Sequence, residues 1–385
     1  MEHEFSNLFL QKYWWVVLSL LTGVMVQMLY IFGGQILSHQ VGKSKIEREM
    51  TISVLGHKWG LTIASIATWV AVVWAVFPLL YAVTFSGAYA VWTLILMSYV
   101  VTICAYEYRN KSAFMETGGG LYTKILSMCG LNASLLLGIM LSTFFTGNPY
   151  AIDVHPQSGL VQPQWMGIMG GLELFLDMSV YTSYINFSLG LAFVFLSVVI
   201  GALYFKCRIE NEDVERRATK VVRNNMPFFI LFFLFFIVNI WVRPGYEYSA
   251  EGYITLVPHK YLLNMYEMPL VGCMCIVGFI LMMWGMIKGC RINDCNGFYY
   301  AAAGCISTIW GLMCSVGLNN TSFYPASGWW IQNSLTIENS STGGYSMTVM
   351  FYISLLLPLV LGCVLYVWKT MDSRRINKDT ASNHK

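Results

Sequence analysis

Histidines, cysteines and carboxylates are the groups through which a chain of this kind would grip a metal or pass a proton. The six histidines are His3, His39, His57, His155, His259 and His384. Each falls in a loop, in a tail or at the mouth of an apolar run, and none at the middle of one. A haem held between membrane helices needs axial ligands such as His, or a His/Met pair, on facing helices. Many of the 22 methionines lie in apolar runs, but with no partner histidine they read as pliable packing. The ten cysteines fall within apolar runs or in basic connections, which suits reduced thiols and not a disulfide framework. Cys290, Cys295 and Cys207 come nearest to a metal cluster, yet no paired C-x-x-C spacing supports one. Glu107, Glu173, Asp177 and Glu267 stand near membrane boundaries, whereas ion and proton routes usually place an ionisable group at mid-depth. Gln27, Asn186 and Asn239 are the deepest strongly polar side chains, and their type suits helix-to-helix hydrogen bonding. No phosphate loop, nucleophile–base pair or zinc motif is present.

These groups hang on a frame built for lipid. Hydrophobic residues make up 56% of the 385 and charged residues 11%, where an ordinary soluble domain carries roughly 25% charge. From Trp59 to Tyr106 there is no Asp, Glu, Lys, Arg or His, a run about twice the ~20 residues one helix needs to cross a bilayer. With Pro78, Tyr81 and Ser86-Gly87 at its middle, it reads as two spanning helices joined by a tight turn. His57-Lys58 stand at one mouth and Glu107 to Lys111 at the other. Backbone groups in lipid must bond internally, so helix is the expected state.

Nine apolar runs qualify: 13–37, 59–83, 86–106, 122–146, 180–205, 225–242, 268–288, 297–318 and 347–368. Their connections at 38–58, 107–121, 206–224 and 288–296, the tail from 369 and Lys124 hold 20 of the 23 Lys and Arg residues. That bias puts the amino terminus outside and the carboxy terminus in the cytoplasm. The fold class expected is an all-α polytopic membrane protein of about nine transmembrane helices. Residues 1–146 would form a first four-helix bundle and 180–318 a second, with 347–368 as a peripheral ninth helix and 369–385 as a tail. Glu47-Arg48 with Thr51, and Glu215-Arg216 with Thr219, mark a faint repeat between the halves. Gly130, Ser134 and Gly138, and again Ala303, Ser307, Gly311 and Ser315, are small residues at fourth positions that let helices approach closely. Residues 147–179 and 319–346 are the outer loops. Trp165, Ile168, Met169, Leu172, Phe175 and Leu176 recur at helical spacing, either as an amphipathic helix on the membrane surface or as a loop folded over helix ends. No basic face is left over for nucleic acid.

The chain resembles subunit II of cytochrome bd-type quinol oxidases. The residues that carry the likeness are Trp14-Trp15, His57-Lys58-Trp59, Phe77-Pro78, Tyr81, Phe85 to Tyr89, Tyr106-Glu107-Tyr108-Arg109 and Lys111. They continue with Gly201 to Tyr204, Tyr324-Pro325, Ser334-Leu335-Thr336, Asn339-Ser340-Ser341, Pro358 and Trp368, in order along essentially the whole chain. The resemblance implies a haem-free subunit beside a larger subunit I, which carries two b-type haems, a d-type haem and the quinol site. The complex would oxidise quinol, reduce oxygen to water and generate membrane potential in the bacterial cytoplasmic membrane. Small accessory transmembrane subunits and a bound quinone or lipid are further expectations. Relatives place acidic residues where this chain has Leu29, Phe32 and Gly60. That leaves His57, Lys58, Trp59, Glu107 and Arg109 as candidates for proton entry or helix-mouth contacts, with Glu107 and Arg109 expected to pair. No catalytic, cofactor-binding or metal residue is expected on this chain. The alternative is a secondary transporter, which would show helices broken at matching mid-depth positions of its two halves.

Overall fold

The computed structural model describes residues 6–108, 119–154, 161–177, 180–249, 251–291 and 295–372. Among these, eight helices are long and apolar enough to cross a membrane, and a bent pair makes a ninth. The first span joins α1 (Asn7–Met28) to α2 (Tyr30–Val41). The second joins α3 (Lys45–Gly56) to α4 (Trp59–Val76). A short α5 (Pro78–Gly87) leads into α6 (Tyr89–Tyr108), and α7 (Gly119–Thr146) closes the first half. After the first outer loop, with its short α8 (Glu173–Leu176), come α9 (Tyr181–Arg208) and α10 (Glu212–Val242). The short α11 (Lys260–Glu267) precedes α12 (Pro269–Gly289) and α13 (Gly297–Gly317). The bent pair is α14 (Gly344–Ser354) and α15 (Leu357–Met371).

Two connections expected as surface loops are helical, because local capping outweighs their charge. Ser44 accepts from the Glu47 amide while Glu47 reaches back to the Ser44 amide, a capping box that starts α3 inside the 38–58 segment. The Asn211 side chain accepts from the Asp213 and Val214 amides and starts α10, so most of 206–224 is also helix. The tight turn expected between the second and third spans is instead α5. Pro78 has no amide to continue the ladder but suits a helix start, so α4 stops at Val76 and a new helix begins. The freed Val76 carbonyl accepts from the Thr342 amide at 2.8 Å. Pro358 acts similarly at the start of α15, where the ninth span bends by 41°.

Of the two readings of the 147–179 segment, the amphipathic surface helix does not form among the described residues. Tyr150–Val154 and Val161–Trp165 pair instead as antiparallel strands, and only Glu173–Leu176 is helical. Trp165 lies over Gly87 and donates to Glu173, while the Ala90 amide donates to the Gly170 carbonyl at 3.0 Å, so the loop folds over helix ends. The second outer loop joins it. Asn148 donates to the Pro325 carbonyl at 2.9 Å, and Ser327 donates back to Asn148 at 2.8 Å. Phe323 stacks on Trp15 with ring centroids 4.5 Å apart. Burial pushes the Tyr150 and Tyr324 phenols upward, so both stay neutral beneath this cap.

One core cluster runs through both halves of the chain. It is closed by backbone contacts at glycines. Gly33 of α2 rests on the Ser197 carbonyl of α9, and a Cβ on Gly201 would lie 2.8 Å from the Tyr30 carbonyl. On Gly23 of α1 a Cβ would meet the Ile306 carbonyl of α13 at 2.7 Å, and on Gly138 of α7 it would meet Gly190 of α9 at the same distance. The spacing from Gly33 to Gly201 equals that from Glu47 to Glu215 and from Gly138 to Ile306. Equivalent surfaces of the two halves therefore meet one another.

Candidate functional site

The end of the bundle that carries Lys58 gathers most of the buried charge among the described residues; Lys260, paired with Glu247 at 2.7 Å, lies apart from it. Lys58, between α3 and α4, is only 1% exposed, and its ammonium lies 3.2 Å from Oδ1 of Asp372, itself 8% exposed. Asp372 follows α15, one helical turn beyond Trp368, so the two share a face. The Trp368 indole N–H donates to Oδ2 of Asp372 at 2.7 Å. Lys58 donates to the Trp368 carbonyl at 3.3 Å, and its ammonium sits 4.4 Å from the indole ring centroid. Arg208, the last residue of α9, places Nε 3.4 Å from Oδ1 of Asp372 and donates to the Asp372 carbonyl. Tyr30 packs beside this group, with ring centroids 4.7 Å from Tyr204, 5.3 Å from Phe298 and 6.4 Å from Trp368.

Neighbouring basic residues hold helix ends. Lys206 donates to the carbonyls of Gly289 and Arg291, both at 2.7 Å, and so satisfies groups that α12 leaves open at its end. Arg217 of α10 pairs with Glu47 at 2.8 Å and donates to the Val41 carbonyl at 2.8 Å. Both ions at the Lys58–Asp372 contact are matched to partners in a nearly closed site. A buried pair of this kind fixes geometry, because removing either partner strands a charge. Its chemical capacity is to pin the last span to the second and fifth.

The sequence-derived candidates separate. Lys58 enters the buried cluster. His57 stays exposed at the end of α3, with Nδ1 2.7 Å from the Ser53 carbonyl one turn earlier. Trp59 is half-buried and opens α4, and Glu107 is exposed near the end of α6. Arg109 and the pair expected with Glu107 lie outside the described residues. The Ser53 contact fits a helix-end role for His57. His57→Ala should therefore leave quinol-driven oxygen consumption unchanged across pH, measured with an oxygen electrode. A selective slowing at high pH would restore proton entry there.

Of the positions at which the resemblance leads one to expect acids, Leu29 and Phe32 are each 1% exposed in the core, and Gly60 faces open space. Asp372 and Arg208 are not among the sequence-derived candidates, because the sequence reads 206–224 as a connection between spans and 369–385 as a tail. The Trp368–Asp372 spacing was the available signal, since it puts both on one helical face. Matching helix breaks are not found among the described residues either. The break at Leu29 corresponds by the repeat spacing to Ser197, inside unbroken α9, which removes the feature that favours a transporter.

Comparison with known proteins extends over the whole frame. The profile of the family described as "Cytochrome bd terminal oxidase subunit II" matches residues 10–371. Cytochrome bd ubiquinol oxidase subunit 2 of Bacillus subtilis (strain 168) is 23% identical, covering 96% of this chain and 98% of the relative. Cytochrome bd-I ubiquinol oxidase subunit 2 of Escherichia coli (strain K12) is 20% identical, covering 96% of each. A chain in the structure of bd oxidase from Geobacillus thermodenitrificans superposes with a TM-score of 0.61 at 14% identity, over 94% of this chain and 98% of that one. Matched across nearly its full length, the chain belongs to the cytochrome bd terminal oxidase subunit II family.

Proposed function

We propose that this chain is the haem-free companion of subunit I, supporting quinol oxidation and oxygen reduction that take place on the partner. As subunit II of a cytochrome bd ubiquinol oxidase it serves an oxidoreductase complex, and it is a multi-pass membrane protein. The finer assignment places the b-type and d-type haems in subunit I. It sets the amino terminus outside and the carboxy terminus in the cytoplasm of a bacterial inner membrane. Small accessory transmembrane subunits and a bound quinone or lipid belong to the same reading.

The position of the three histidines among the described residues supports it. His39 lies in the last turn of α2, His57 ends α3 and His259 precedes α11. These helix-end positions do not fit axial ligands facing each other across a haem inside the bundle. What the described residues provide is a rigid, closely packed wall. Oxygen uptake driven by quinol should appear in membranes holding both subunits and be absent from membranes holding this chain alone. Respiration by the chain alone would overturn the proposal.

A further inference from the structure

A second basic group, separate from the Lys58 cluster, lies where α2, α3 and α7 come together at the same end of the bundle. His39 is in the last turn of α2, Arg48 in the first turn of α3 and Lys124 in the second turn of α7. The positive fields of Arg48 and Lys124 both fall on the His39 imidazole. Nε2 of His39 and Nε of Arg48 are buried and have no hydrogen-bond partner among the described residues. Among the described residues the ion pairs engage Lys58, Arg208, Arg217 and Lys260, and none engages these three. Of the two acids that flank Arg48 in the helix, Glu47 is taken by Arg217 and by the amides of Lys43 and Ser44, and Glu49 forms no ion pair among the described residues.

A buried guanidinium N–H without an acceptor is costly, and cationic groups held together with no anion repel one another. A phosphate resolves both, because its oxygens accept from Arg, Lys and imidazole N–H together. Basic pockets between helices at a membrane surface take lipid headgroups by this chemistry. One turn along α3 from Arg48, Ile52 joins Ala105 and Leu126 in a small apolar cluster distinct from the main core. Leu121 and Met128, on the face of α7 that carries Lys124, are exposed and offer acyl-chain contact beside the basic group.

We propose that His39, Arg48 and Lys124 form a binding site for a phosphate group, carried by an anionic phospholipid or free in solution. The test is native mass spectrometry of the whole, delipidated complex titrated with phosphatidylglycerol and, separately, with inorganic phosphate. Phosphatidylglycerol binding about tenfold weaker in the Arg48→Gln/Lys124→Gln double variant supports the site and assigns it to lipid. The same loss for inorganic phosphate, with lipid binding unaltered, supports the site and assigns it to soluble phosphate. Lys124 is exposed, so Lys124→Gln alone keeps the test valid if the double variant fails to assemble, and it should weaken binding about threefold. Wild-type binding of both probes by the variants would overturn the proposal.

Discussion

Asp372→Ala should destabilise the chain by about 3–5 kcal/mol, the cost of removing one partner from a buried ion pair. It would leave Lys58 and Arg208 close together without the carboxylate that both contact. It would also remove the acceptor of the Trp368 indole. Lys58→Met should cost less, about 1–3 kcal/mol, because Asp372 keeps Arg208 and the Trp368 N–H. The order of the two variants is the informative result. Loss of helical circular dichroism on heating the purified complex measures it, with quinol oxidase activity as a check on assembly. An Asp372→Ala complex within about 0.5 kcal/mol of wild type, the range of ordinary surface changes, would show that the contact holds nothing in place.

Gly33→Ala should cost about 3 kcal/mol, at the upper end of overpacking, because the new methyl would meet backbone. A flexible side chain can move aside, but the Ser197 carbonyl cannot without displacing α9. Gly201→Ala meets the Tyr30 carbonyl and the Gly34 amide on the other side of the same crossing. A single separation of α2 from α9 would relieve both, so the double variant should cost less than the sum of the singles. The same thermal measurement on the two singles and the double tests this. Additive losses would mean that the two glycines do not share one contact.

The spans were legible in the sequence because lipid leaves so few alternatives: long uncharged runs must be helix, and Lys and Arg mark their ends. Their details followed other rules. Charge suggested loops at 38–58 and 206–224, yet Ser44 with Glu47, and Asn211, are cap signals that carry helix through charged sequence. Helical spacing from Trp165 to Leu176 was misleading, since backbone pairing of 150–154 with 161–165 left Trp165 to cover Gly87. Of the site, Lys58 was legible and its partners were not. Asp372 lies hundreds of residues away in a segment that reads as tail, and only the packing of α15 against α2 and α9 brings it in. His57, its immediate neighbour, points elsewhere, a difference that adjacency in sequence does not encode.

The central claim is that no iron is held by this chain. Replacing all six histidines by glutamine and recording the reduced-minus-oxidised absorbance spectrum of the purified two-subunit complex tests it most directly. The account predicts the wild-type ratio of haem to protein with every band at its wild-type position. Loss or displacement of any haem band would place an axial ligand on these helices and contradict it.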